Sequence, residues 1–148
     1  KLIKRSTGTG VGILTSGVLS TKTNPTGAFV GDTDTQTLTN KRINPREVTT
    51  TSNSTPIPNS DTTDIYTITA LAAAATFGAP TGTPVQGQKL IIRIKDNGTA
   101  RALSYNAIYR AIGVILPTTT VISKTLYLGC IYNSTDTKWD VIAVANEA

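Results

Sequence analysis

The sequence predicts an all-β protein: a small antiparallel β-sandwich or barrel over residues 47–148, preceded by an extended, Thr/Gly-rich N-terminal arm over residues 1–46. Three observations predict it. Short β-branched runs recur downstream of residue 47, separated by turn signals at regular spacing. Aromatic residues make up only 5% against 39% hydrophobic residues, so a core must be built from Ile, Val, Leu and Ala. The stretch Gly31 to Ile43 places threonine at 33, 35, 37 and 39, which is one whole face of an extended strand with almost nothing apolar to bury. Such a strand gains order beside copies of itself or another chain.

In the arm, Val11, Ile13 and Leu14, then Val18 and Leu19, are spaced by Gly10, Gly12 and Gly17, which suits short strands or a loop-rich segment and no helix. With Leu38 and Ile43, these apolar residues are the candidates for anchoring or oligomerisation. Residues 47–63 form a Ser/Thr/Pro run that reads as a linker or an edge strand. Ile65 to Leu71 reads as a strand, and Ala72 to Ala75 extends it or makes one helical turn. Gly78, Pro80, Gly82 and Pro84 mark a loop. Lys89 to Lys95 is the clearest strand, with Leu90, Ile92 and Ile94 on one face and Lys89, Ile91, Arg93 and Lys95 on the other. Asp96-Asn97-Gly98 predicts a hairpin turn returning through Thr99 to Tyr105, with Arg93 and Arg101 facing solvent. Ala111 to Leu116 stops at Pro117. Val121 to Tyr132 is a long strand with a break at Ser123-Lys124, and Asn133 to Thr137 turns into a closing strand, Lys138 to Ala145. Both faces of that last hairpin carry apolar groups, which predicts a central or sandwiched position.

Composition excludes much chemistry. The chain has no His, so the usual general base and commonest metal ligand are missing. It has no Met, which leads us to expect a processed chain or a piece of a longer one. Cys130 is alone in an apolar run and reads as a small core residue. Gly8-Thr9-Gly10-Val11-Gly12 meets neither the dinucleotide nor the P-loop spacing. Asp32 and Asp34 lack the glycine turn and distal Glu of a calcium loop, and Asp61 and Asp64 are at most a weak calcium or sugar pair. Ser123 and Lys124 point to opposite faces of a strand, so they do not make a nucleophile and base. No catalytic constellation, metal site or cofactor is expected. No run approaches the roughly 20 apolar residues of a membrane span, and no signal peptide follows Lys1-Leu2-Ile3-Lys4-Arg5.

The net charge is +5. Residues 1–46 hold seven basic and two acidic side chains, and residues 47–148 hold seven of each, so the whole excess lies in the arm. Without interleaved aromatics or a dense basic cluster, the arm is expected to meet solvent or an acidic protein surface and not nucleic acid. Tyr105, Tyr109, Tyr132 and Trp139 are the rings that would stack a sugar. Trp139 reads first as a cap on the core and only second as a stacking ring.

The stretch Gly31-Asp32-Thr33-Asp34-Thr35-Gln36-Thr37-Leu38-Thr39-Asn40-Lys41-Arg42-Ile43 resembles a connector of tailed-bacteriophage fibre and other virion appendage proteins. Lys89 to Ala102, Leu116 to Thr120, Leu126 to Asn133 and Lys138-Trp139-Asp140 are similar to a small β-domain of such proteins. The resemblance spans roughly residues 31–145. It implies a virion structural protein of tail-fibre, head-fibre or capsid-decoration type: a homotrimer in the extracellular particle, bound to other capsid or tail proteins through its arm. It carries over no catalytic residue, and the chain is not expected to be an enzyme. A carbohydrate-binding module that recognises host surface glycan is the alternative reading, and a tailspike-like polysaccharide hydrolase the third.

Overall fold

A computed structural model describes residues 11–15, 18–22, 39 and 42–148. The chain forms two compact units, Lys1–Arg42 and Ile43–Ala148. In the first, β1 (Val11–Thr15) and β2 (Val18–Lys22) form an antiparallel ladder with Val11 opposite Lys22 and Thr15 opposite Val18. Asp32, Asp34 and Leu38 lie outside the described residues, as does most of the threonine stretch. The second unit starts at Ile43, earlier than the expected boundary, because Arg46 is tied into it: the Arg46 main-chain N–H and its guanidinium both donate to the Asp64 carboxylate.

The second unit is all-β, with β3 (Glu47–Thr50), β4 (Ile65–Leu71), β5 (Ala75–Phe77), β6 (Lys89–Asp96), β7 (Leu103–Tyr105), β8 (Tyr109–Ala111), β9 (Thr125–Asn133) and β10 (Lys138–Asn146). Six of them form one sheet in the order β3-β4-β6-β9-β10-β8, and β5 pairs with β7 in a small second sheet. The expected antiparallel architecture is corrected to a mixed one. β3, β4 and β6 run parallel, β6, β9 and β10 antiparallel, and β8 parallel to β10. Parallel neighbours need a crossover of about a dozen residues or more. The Ser/Thr/Pro run 51–64 and the stretch 72–88, which contains β5 and the Gly/Pro loop, supply those crossovers.

The expected hairpin after β6 is also corrected. The turn is present and Gly98 has φ +90°, a conformation natural to glycine. Its return strand is not. β9 takes the neighbouring edge of β6, with Ile92 opposite Leu128, and Leu103–Tyr105 instead pairs in parallel with β5. The cause is Asp96, only 3% exposed. One carboxylate oxygen accepts the N–H groups of Gly98 and Ser123, both at 2.9 Å, and the other accepts the Thr120 hydroxyl at 2.8 Å. Segment 120–123 is thereby fixed at the end of β6, and the chain after Gly98 leaves the sheet.

The core lies on one face of the six-stranded sheet. Leu90, Ile92 and Ile94 alternate inward from β6 as their spacing predicts, beside Tyr66 and Ile68 from β4 and Leu126, Leu128 and Cys130 from β9. Phe77, Ala75 and Leu103 from the small sheet join the same core, with Phe77 stacked on Tyr105 (centroids 5.5 Å) and Tyr105 edge-on to Tyr109 (6.1 Å). Each fully buried Leu or Ile contributes roughly 1.5–3 kcal/mol by removal from water. A β-bulge between Val141 and Ala143 inserts Ile142, which turns outward, and shifts the register by one so that Val144 lies opposite Leu128. β9 and β10 are interior strands of the sheet, yet their outer face is half open to solvent. Gly82, at φ +89°, admits no side chain: a Cβ there would sit 2.7 Å from Ser60 Oγ and 2.8 Å from Asn59 Oδ1.

Candidate functional surface

The outer face of the six-stranded sheet is the face available to a partner. The ladder registers set its side chains in rows. Ile65, Ile91, Gly129 and Ala143 form one apolar row, large on β4 and β6 and small on β9 and β10. The next row carries Thr67, Arg93, Tyr127 and Ala145, and another carries Lys89, Ile131, Asp140 and Arg110. Ile91 and Tyr127 are each 39% exposed. Where the chain enters β3, Ile43, Pro45, Asp64, Ile65, Gly87, Lys89 and Ile91 line an open groove of about 500 Å³.

Four of this unit's seven carboxylates are paired with arginines in place. Asp64 receives Arg46 Nη2 at 2.6 Å and Nε at 2.9 Å, and a further Arg46 N–H donates to the Asp61 carbonyl. The Arg46 hydrogen bonds, side chain first and then main chain, hold the Asp64 carboxyl down at about 2. Arg110 on β8 reaches across to β10, pairing with both oxygens of Asp140 at 2.7 and 3.0 Å, and also with Asp136 at 2.8 Å. Asp140 is lowered by that same guanidinium. Arg93 lies over the Tyr127 ring, 5.6 Å from its centroid, and reaches Glu47 Oε1 at 3.4 Å. The same Glu47 oxygen accepts the Thr67 hydroxyl at 2.7 Å.

These pairs make stability depend on acid. A carboxyl whose folded pKa is depressed contributes stability above its unfolded value of about 3.9, and that stability is lost as pH falls through the folded value. Asp64, Asp96, Asp140 and Glu147 are all shifted downward. The melting temperature is therefore expected to be level from about pH 5 to 8 and to fall from about pH 4 towards 2. Calorimetry across that range checks it, and Asp64→Asn should make the fall shallower.

The structure separates the sequence-level candidates. Trp139 is 1% exposed and Tyr109 4%, and Tyr132 is also buried, so none presents a ring face to a sugar. Trp139 instead packs on Tyr132, centroids 5.2 Å apart. Tyr105 is half-buried between Phe77 and Tyr109. β-branched and aliphatic residues are too few in the short strands β7 and β8 to fill the space between layers, and these rings fill it. Among the described residues the exposed aromatic is Tyr127, which the sequence reading passed over. Its signal was present: it alternates with the inward Leu126 and Leu128. Cys130 is buried as expected, and burial pushes its thiol up to about 12, which leaves it unreactive. Of the anchoring candidates, Val11, Ile13, Leu14, Val18 and Leu19 fall on the β1–β2 ladder, and Ile43 is 86% exposed at the start of the second unit. Among the described residues, no three His, Cys, Asp or Glu side chains cluster as a metal site would need, and no helix is long and apolar enough to cross a membrane.

In comparisons with protein-family models, with curated proteins and with solved structures, nothing matches this chain.

Proposed function

We propose that the chain is a bacteriophage virion structural subunit, of fibre or decoration type, anchored by its N-terminal arm as a homotrimer and displaying the β-domain from Ile43 onward. One observation carries the reading: the boundary between the two compact units falls where the charge excess ends. Lys1–Arg42 holds six basic and two acidic side chains, whereas Ile43–Ala148 holds eight and seven. A basic segment followed by a near-neutral β-unit with its own core suits attachment at one end and display at the other. The unit's carboxylates are bound up in ion pairs and turn hydrogen bonds, an arrangement suited to a durable scaffold.

The test compares the intact chain with a truncation beginning at Ile43, which keeps the Arg46–Asp64 pair. Light scattering should give a trimer for the intact chain and a folded monomer for the truncation, and only the intact chain should bind particles that lack it. A monomeric intact chain, or a truncation that still attaches, would sink the reading. A second reading, adsorption to a host surface glycan, is favoured by Tyr127, exposed beside Arg93 on the outer face. Glycan-array binding abolished by Tyr127→Ala would support it over display alone.

A further inference from the structure

The turn Asp96-Asn97-Gly98 directs the chain through the Asp96 carboxylate, and it also carries a side chain, Asn97, that this role does not use. Asn97 and Gly98 are both exposed, and nothing lies within 4 Å of where a Gly98 Cβ would be. Arg101 Nη2 donates to Asn97 Oδ1 at 2.9 Å, so a guanidinium sits on the oxygen of the side-chain amide. Gly98 N–H donates to Asp96 Oδ1 at 2.9 Å, so a carboxylate sits on the proton of the adjacent main-chain amide. The Asn97 main chain is itself pinned, its N–H donating to the Leu71 carbonyl at 3.2 Å.

We propose that Asn97 is a self-modifying residue, converted to aspartate by intramolecular displacement of its own side-chain amide. In the first step the Gly98 nitrogen attacks Cγ of Asn97, forming the N–Cγ bond of a five-membered imide. Asp96 takes the proton from the attacking nitrogen as a general base. The Arg101 guanidinium stabilises the negative charge that builds on Oδ1 in the tetrahedral intermediate, as a donor placed where charge develops. The Cγ–Nδ2 bond then breaks, and the side-chain nitrogen leaves as ammonia with the proton carried by Asp96. In the second step water adds at Cγ and the imide N–Cγ bond reopens, leaving a carboxylate at position 97 and restoring the Gly98 N–H. The balance is one water consumed and one ammonia released, with no oxidant or reductant. Glycine at 98 matters because any side chain would crowd the attacking nitrogen. The product carboxylate faces Arg101 already in place, so a neutral hydrogen bond becomes an ion pair.

The prediction is read by mass spectrometry of protein held folded at neutral pH and 37 °C. Trypsin releases the hexapeptide Asp96 to Arg101 from wild type and the matching hexapeptide from Arg101→Lys, whereas Arg101→Met gives the 15-residue peptide Asp96 to Arg110. In each, conversion at position 97, located by fragmentation, appears as the mass change of an NH replaced by O. Wild type should convert with first-order kinetics. Arg101→Met, which keeps the aliphatic stem, should convert at least about tenfold more slowly, less than the roughly 100- to 1000-fold that loss of one charge-stabilising donor costs in a water-excluded site, because this turn is exposed. Arg101→Lys, which keeps the charge, should fall between them. Melting curves of the variants establish that each is folded. A second measurement stands apart from the variants: in urea the Asp96 and Arg101 contacts are gone, so the unfolded chain should convert more slowly than the folded one. An unchanged hexapeptide in wild type, equal rates in wild type and Arg101→Met, or faster conversion in urea would each overturn the proposal.

Discussion

Replacing Trp139 with alanine is expected to destabilise the β-domain by about 3–5 kcal/mol, the range for removing a large ring from a packed interior. The ring lies at the start of β10, packed on Tyr132 and beside Tyr109 on β8, so its loss opens the core where three strands meet. For a domain of this size the melting temperature should fall by more than about 10 °C. Trp139→Phe keeps most of the buried area and should cost markedly less. Thermal unfolding followed by circular dichroism checks both. The result also bears on function, because a sugar-stacking tryptophan on the surface would leave the melting temperature nearly unchanged when removed.

The second large effect is expected at Asp96. Desolvation alone would raise the pKa of a carboxyl in this setting. The Ser123 N–H, the Thr120 hydroxyl and the Gly98 N–H outweigh it, and the group is held below the usual carboxylate range. Asp96→Ala removes one charged acceptor and strands those donors, at a cost of about 3 kcal/mol. Asp96→Asn is the informative comparison. Its amide oxygen still accepts from Gly98 and Ser123, and its NH₂ donates to Thr120 Oγ1 once that hydroxyl turns, so the cost should drop to about 1 kcal/mol. If Asn is as damaging as Ala, charge and not hydrogen-bond geometry anchors the turn. Chemical denaturation curves at neutral pH decide between them.

The contrast between Lys89–Lys95 and the residues after Gly98 shows how far the sequence could be read. Alternation fixes which face of a strand is buried, because the pleat has a period of two, and β6 follows it from Leu90 to Ile94. Alternation does not say which strand lies alongside. Asn-Gly after an alternating strand is the strongest local signal for a hairpin, but here the neighbour of β6 is β9, and the deciding group is a buried carboxylate gripping a segment more than twenty residues away. The parallel pairs had no local signature for the same reason: their crossovers are low-complexity loops that read alike whether the chain returns beside its last strand or moves on. For the candidate surface, Tyr127 was legible from its place between two inward leucines. Trp139 reads from the sequence as a cap on the core, and it is buried there. Tyr109 was not legible, since an aromatic ring in a short strand serves equally as a core filler or as an exposed platform. Only the second layer, with Phe77 and Leu103, makes it a filler.

β3 is the strand that the arm leads into, and it has properties that matter under load. It is four residues long, sits at the sheet edge, and every one of its side chains is exposed or half-exposed. Its attachments are a parallel ladder to β4, the Arg46–Asp64 clamp just before it and the Glu47 contacts. Tension arriving through the N-terminal segment therefore meets a detachable seam before it meets any buried residue. Peeling β3 would lengthen the chain and absorb work while Leu90, Ile92 and Trp139 stay packed, and the strand could re-zip when the pull ceased. A domain wired this way yields at its tether and keeps its body intact.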